Sequence, residues 1–174
     1  MRILRGGSYL TAPAVKDSQL AVRNYVRPRV NQETGKKERH VPLASYEGPG
    51  TDVERRLKER VLPTTKVDRA AMNHDVSYFN IRSGLRDATL SVPEAKKKVR
   101  EADNRLISEA KRNLITTNPA NMGHAVAALA GIKTKEIAED VGIIDKLQFV
   151  GKGKKKKDPL KQLRKEMIAK NLNL

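Results

Sequence analysis

The chain has 174 residues with 36 Lys+Arg against 20 Asp+Glu, a net charge of +16, and is 38% hydrophobic but only 3% aromatic, without Trp or Cys. That length carries one domain with flanking arms, and that composition supports a modest, mostly helical core of Ala, Leu, Val and Ile. The lack of cysteine excludes disulfides, zinc–thiolate centres and a cysteine nucleophile; three histidines (His40, His74, His124) without an HExxH pairing leave oxygen ligands as the way to hold a metal.

Residues 1–40 carry nine basic and three acidic residues, with Pro13, Pro28 and Gly35 scattered among them. They read as an irregular basic N-terminal arm with a short extended piece from Leu20 to Val30. Met1 to Leu10 has basic residues but no apolar stretch behind them, unlike a secretory signal. Val41 to Gly50 contains Pro42, Gly48, Pro49 and Gly50, which is loop chemistry. Thr51 to Arg60 places Asp52 and Glu54 early and Arg56, Lys58 and Arg60 late, as the helix dipole favours in a short helix, and Pro63 ends it or starts the next loop.

The first strong helix is predicted over Thr64 to Ser83, capped by Thr65, with Val67, Ala70, Ala71, His74, Tyr78 and Ile81 on one face and Gly84 as its stop. The second runs from Pro93 to Asn113 with Val99, Ala102, Asp103, Leu106, Ile107, Ala110 and Leu114 aligned. Asn118 and Pro119 open a third helical region carrying Val126, Leu129, Ile132, Ile137 and Val141, which Gly131 weakens or bends. Ala125 to Ile132, the longest uncharged apolar run, has eight residues, whereas a membrane span needs about 18. Gly151 to Lys157 is a flexible basic tract, and Asp158 and Pro159 start a short basic amphipathic helix with Leu160, Leu163, Met167 and Ile168 on one face. The domain division is 1–40, 41–142 and 143–174, with the two arms at +6 and +7 around a centre of only +3. Basic arms attract polyanions, nucleic acid or an anionic membrane, and they also serve simply as solvated tails.

Four elements of the centre carry chemistry. His74 lies in the apolar stripe of its helix, where a core histidine and a catalytic one look alike. Asp75 follows it, about 100° further round the helix, and so faces a different partner. It cannot form a dyad with His74, but it can offer a carboxylate to a hard cation. The glycines of Tyr46-Glu47-Gly48-Pro49-Gly50 permit backbone angles that turn carbonyls toward such a cation, though a plain turn explains them equally well. Asp103 interrupts the apolar face of the second helix. It is either a surface residue or a buried carboxylate in need of a partner, and antiparallel packing of the two helices would supply His74, with Tyr78 one turn further on.

Tyr46, Gly48, Pro49, Gly50, Pro63, Asp68, Ala71, His74, Asp75, Tyr78, Ala102 and Asp103, in this order, resemble the phospholipase A2 family. The likeness is greatest to the branch found in the unique N-terminal region of parvovirus minor capsid proteins, and it covers about residues 41–142. Asn121 to Gly131 is more loosely similar to that branch's last helix. The resemblance implies a mainly α fold: two antiparallel helices, a calcium loop and a third helix, with basic irregular arms at both ends. It implies His74 as the general base that activates water for attack on the sn-2 ester of a glycerophospholipid, Asp103 as its orienting acid and Tyr78 as an assistant. Ca2+ would be held by Asp75 and the carbonyls of Tyr46, Gly48 and Gly50, with the Gly48 N–H at the oxyanion.

The lack of disulfides suits the viral branch, whereas the Gly50-to-Pro63 and His74-to-Asp103 spans are longer than that branch has. Leu4-Arg5-Gly6-Gly7-Ser8 is similar to a cleavage site of adenovirus-type maturation proteases. The implied setting is a virion component that aids membrane penetration, in the host endosome or nucleus during infection, with phospholipid membrane, capsid proteins and nucleic acid as partners. The alternative is a basic structural capsid or core protein with an inactive phospholipase-like fold.

Overall fold

A computed structural model describes residues 9–32, 34–115 and 118–140. The expectations for Leu4–Ser8, for Val141 and for the tail from 143 onward lie outside the described residues, as does the side chain of Ile137. The described chain is mainly helical: α1 Val53–Lys58, α2 Lys66–Arg86, α3 Val92–Asn113 and α4 Pro119–Asp140. Among the described residues there is no strand, only an isolated bridge between Val30 and Lys37. No helix among them is long and apolar enough to cross a membrane.

Each helix begins where a side chain can satisfy free N–H groups. Asp52 accepts from Arg55 N, Thr65 from Asp68 N, and Asn118 Oδ1 from Ala120 N and Asn121 N. Ser91 and Glu94 form a reciprocal capping box ahead of α3. α2 and α3 pack as an antiparallel hairpin. Val67 clusters with Leu106 and Ala110, His74 meets Asp103, and Ile81 clusters with Ala95 and Val99, so the register falls along α3 as it rises along α2. α4 lies chiefly against α3 and also touches α2.

Several elements depart from the sequence reading. Gly84 does not stop α2, which continues to Arg86. It serves instead as the close-approach point of the α2–α3 turn: its carbonyl accepts from Thr89 N and Leu90 N, and a Cβ there would sit 3.0 Å from the Leu90 Cβ. Leu114, the C-cap just past α3, is exposed. On α4, Ile132 is buried and Leu129 packs against the core as expected, but Ala125 and Ala128 join them while Val126 is 55% exposed.

The segment before residue 40 is irregular, yet it is packed. Leu20 to Val30 is not one extended piece: Leu20, Ala21 and Tyr25 are extended, but the 3-10 turn Val22–Asn24 interrupts them, and another, Asp17–Gln19, precedes them. Leu10, Ala12 and Val15 pack on a core cluster of Tyr46, Val53, Ala71, Met72 and Val76. Glu38, 1% exposed, pairs with equally buried Arg56 of α1 at 2.7 Å and accepts from Arg29 N and Asp52 N. Burial pushes the Glu38 carboxyl up, but Arg56 and those two amides outweigh it and hold it at about 2. Its folded value is thus depressed, so its stabilising contribution is complete above about pH 4.5 and disappears as pH falls toward 2. Removing one partner of a buried pair costs about 3–5 kcal/mol. Glu38→Gln is therefore expected to lower the unfolding free energy by about 3 kcal/mol at pH 7 in a urea titration, with the difference from wild type shrinking near pH 3.

Candidate active site

α2 is buried on two sides, and the site uses both. Val67, His74, Tyr78 and Ile81 face α3, while Met72, Asp75 and Val76 turn toward the glycine loop. His74 Nε2 lies 2.9 Å from Asp103 Oδ1, and the Tyr78 hydroxyl donates to the same oxygen at 2.7 Å. The rings of His74 and Tyr78 are 4.3 Å apart. Lys135 of α4 completes the cluster with its ammonium on Asp103 Oδ2 and on the Tyr78 oxygen. Burial pushes the Asp103 carboxyl up, but His74, Lys135 and Tyr78 together hold it below the ordinary carboxylate range. An ionised carboxylate only accepts hydrogen bonds, so in the neutral His74 ring the proton is assigned to Nε2 and the lone pair to Nδ1. Burial lowers the His74 imidazole, yet the carboxylates of Asp103 and Asp75 outweigh it and hold it above 6.5.

Asp75 does turn to the loop side, but less completely than adjacency on a helix suggests. Its Oδ1 comes within 3.5 Å of His74 Nδ1, an ion-pair distance rather than a hydrogen bond. Its Oδ2 is buried and has no hydrogen-bond partner. Burial pushes its carboxyl up, with His74 and Thr51 opposing that.

The glycine loop is pinned by Asp68, which is completely buried. Asp68 Oδ1 accepts from Tyr46 N (2.7 Å) and Glu47 N (3.0 Å), and Oδ2 accepts from Ser45 N (3.0 Å) and Thr64 N (2.9 Å). From the other side, residues 39 to 41 pair with the loop through Arg39 N to Pro49 O and Val41 N to Glu47 O. That approach requires glycine at 48: its φ is 153°, and a Cβ would fall 1.9 Å from the Arg39 carbonyl oxygen. The carbonyls of Tyr46 and Gly48 then converge on the Thr51 hydroxyl, at 3.1 and 3.0 Å. Burial and the nearby Arg56 charge lower His40, which is thus held neutral; its Nδ1 faces an Arg56 donor at 3.5 Å, so Nε2–H donates to Thr51 at 3.2 Å.

Thr51 has one hydroxyl proton, while two carbonyls and the Asp75 carboxylate gather around it. Carboxylate and carbonyl oxygens are the kind of ligand that hard cations take. Among the described residues no group of three or more His, Asp or Glu side chains could hold a metal ion; what gathers at Thr51 is one carboxylate and neutral oxygens. The carbonyl of Gly50 is turned away, accepting from Asn31 Nδ2 at 3.0 Å. Glu47 adds no charge to this oxygen cluster: burial and the Asp68 charge push its carboxyl up to about 8. His124 Nδ1 stands 3.2 Å from Glu47 Oε2 but is engaged by Thr65 Oγ1 at 3.0 Å, and its Nε2 faces the Pro42 carbonyl at 3.1 Å.

A groove of about 730 Å³ opens beside His74 between α2 and α3. Ala12, Ala70, Val76 and Leu106 give it an apolar wall, and Arg69, Arg105 and Arg112 a basic rim. A second cleft, of about 420 Å³, runs along α1 and reaches Thr51 but neither His74 nor Asp103. Of the two, only the first is lined by His74.

No family model, curated protein or solved structure matches the chain. The site therefore has to be judged on its own geometry, which unites His74, Tyr78 and Asp103 and sets Asp75, Tyr46 and Gly48 around Thr51. Thr51, Lys135 and the anchoring role of Asp68 were not singled out by the sequence. Only Asp68 left a signal there, as an acid in the first turn of a helix close behind a glycine loop.

Proposed function

We propose that the chain is a calcium-dependent phospholipase A2 of the kind its motifs resemble. The observation that carries this reading is His74 held by Asp103 through Nε2, with Nδ1 left basic 3.5 Å from one oxygen of Asp75, whose other oxygen is buried without a hydrogen-bond partner. Nδ1 takes a proton from water as the water oxygen attacks the sn-2 carbonyl carbon. The tetrahedral intermediate collapses with cleavage of the ester C–O bond, and the imidazolium returns the proton to the departing lysophospholipid oxygen. The products are a fatty acid and a lysophospholipid. Asp103 and Tyr78 fix the ring and stabilise the imidazolium. The Gly48 N–H would face the oxyanion. Asp75, the Tyr46 and Gly48 carbonyls and the Thr51 hydroxyl would hold Ca2+, with Gly50 contributing only if its carbonyl leaves Asn31. Bound there, the cation would supply positive charge for the substrate phosphate and the oxyanion.

The biological setting belongs to the same proposal: a virion component that opens a host membrane, with basic arms on capsid or nucleic acid. The net charge of +16 equally supports a second reading, a structural polyanion-binding protein whose hydrolytic site is silent. Phosphatidylcholine vesicles labelled in the sn-2 chain separate the two. The hydrolase reading expects labelled fatty acid in millimolar calcium and a loss of at least about 100-fold in EDTA. Salt-sensitive DNA binding without any fatty-acid release would favour the structural reading.

A further inference from the structure

Lys135 is 8% exposed, and a lysine is buried only where its charge is answered. Its ammonium reaches Asp103 Oδ2 and, at 2.5 Å, the Tyr78 oxygen. An ammonium only donates, so Tyr78 accepts from Lys135 and must send its own proton to Asp103 Oδ1. Asp103 is thereby held at both ends. Oδ2 is occupied from α4, and Oδ1 receives Tyr78 O–H and His74 Nε2–H. Without the ammonium, Oδ2 would be a buried acceptor lacking this partner, and the carboxylate, whose terminal torsion is soft, would be free to turn.

We propose that Lys135 is a positioning residue of the hydrolytic site, holding Asp103 and directing the Tyr78 proton so that Oδ1 keeps the His74 proton on Nε2. The proposal rests on the phospholipase reading for its effect on turnover, but the contact itself is independent of that reading. It assigns α4 a share in the site that the His-Asp-Tyr motif does not contain.

The test uses the full chain, labelled with 15N, in EDTA. In wild type, the His74 Nε2–H proton, identified by its loss in His74→Gln, is expected to exchange slowly with water. In Lys135→Met that exchange is expected to be at least about ten-fold faster. In calcium, kcat is expected to fall about 10- to 100-fold with KM nearly unchanged, the range typical of residues that orient a functional group. Lys135→Arg, which keeps a donor cation, is expected to recover most of the exchange protection. Unchanged exchange and kcat in a folded Lys135→Met chain would overturn the proposal. If that variant fails to fold, the wild-type ammonium resonance of Lys135 decides: protection beyond that of exposed Lys58 supports the proposal, and equal exchange refutes it. A wild-type chain that releases no fatty acid removes the hydrolase reading, while the proton resonance still decides whether Lys135 holds the pair.

Discussion

Asp103→Asn is expected to lower kcat by about 10⁴-fold, the size of effect seen when an orienting carboxylate is replaced and the histidine adopts the wrong tautomer. The reason lies in the donors around residue 103. Lys135 can only donate, so the new amide would turn its oxygen toward the ammonium and its NH2 toward His74. Facing a donor, Nε2 would have to accept, and the imidazole proton would move to Nδ1, the atom that must be basic. Loss of the counter-charge for Lys135 also destabilises the fold, so turnover should be measured well below the melting temperature and checked against circular dichroism. A pH profile separates the two effects. In wild type the acid limb of kcat/KM is expected to report the His74 imidazole, which Asp103 and, without a cation on it, Asp75 hold above its ordinary value. Only the neutral ring can accept a proton, so activity rises with pH through that raised value. In Asp103→Asn one of the two raising carboxylates is gone, and the limb of whatever activity remains is expected to move to lower pH.

The second large effect is on stability. Asp68→Ala is expected to destabilise the fold by more than about 4 kcal/mol, because four backbone N–H groups lose their shared acceptor. Buried donors left unsatisfied cost about 1–3 kcal/mol each, and water can reach few of these positions. Asp68→Asn keeps one acceptor oxygen and should lose roughly half as much. Denaturant titration with unchanged m-value checks both variants. Since Ser45, Tyr46 and Glu47 are the residues released, Asp68→Asn should also weaken calcium binding relative to wild type, read by calorimetry on the folded variant. Equal affinity would mean that the loop holds its shape without this anchor.

α2 and α3 could be read from the sequence because each combines a clear cap with a sustained apolar stripe. The meeting of His74 and Asp103 followed from those stripes once an antiparallel hairpin was assumed. α4 could not be oriented so well. Pattern reading weights large side chains, yet Ala125 and Ala128 are buried and Val126 is left outside. Gly84 read as a stop because its lack of a side chain looks the same whether it ends a helix or admits a neighbouring turn. Glu38, Arg56 and Lys135 are charged residues in a strongly charged chain. Nothing local separates them from surface residues, since their partners lie 18 and 32 positions away. The packing of residues 9–40 was hidden for the same reason: a buried ion pair and scattered backbone contacts carry no periodicity. Thr51 escaped notice because its role depends on where two carbonyls point, which only the folded loop determines.

The most direct test of the hydrolytic role of His74 is mass analysis of the products from phosphatidylcholine with different sn-1 and sn-2 chains, using wild type and His74→Gln side by side in calcium. The sn-2 fatty acid and the matching lysophospholipid are expected from wild type, with at least a 10³-fold loss, approximately, in the folded variant. Equal release by the variant, or no sn-2 product from the folded wild-type chain, would contradict an imidazole base at this position.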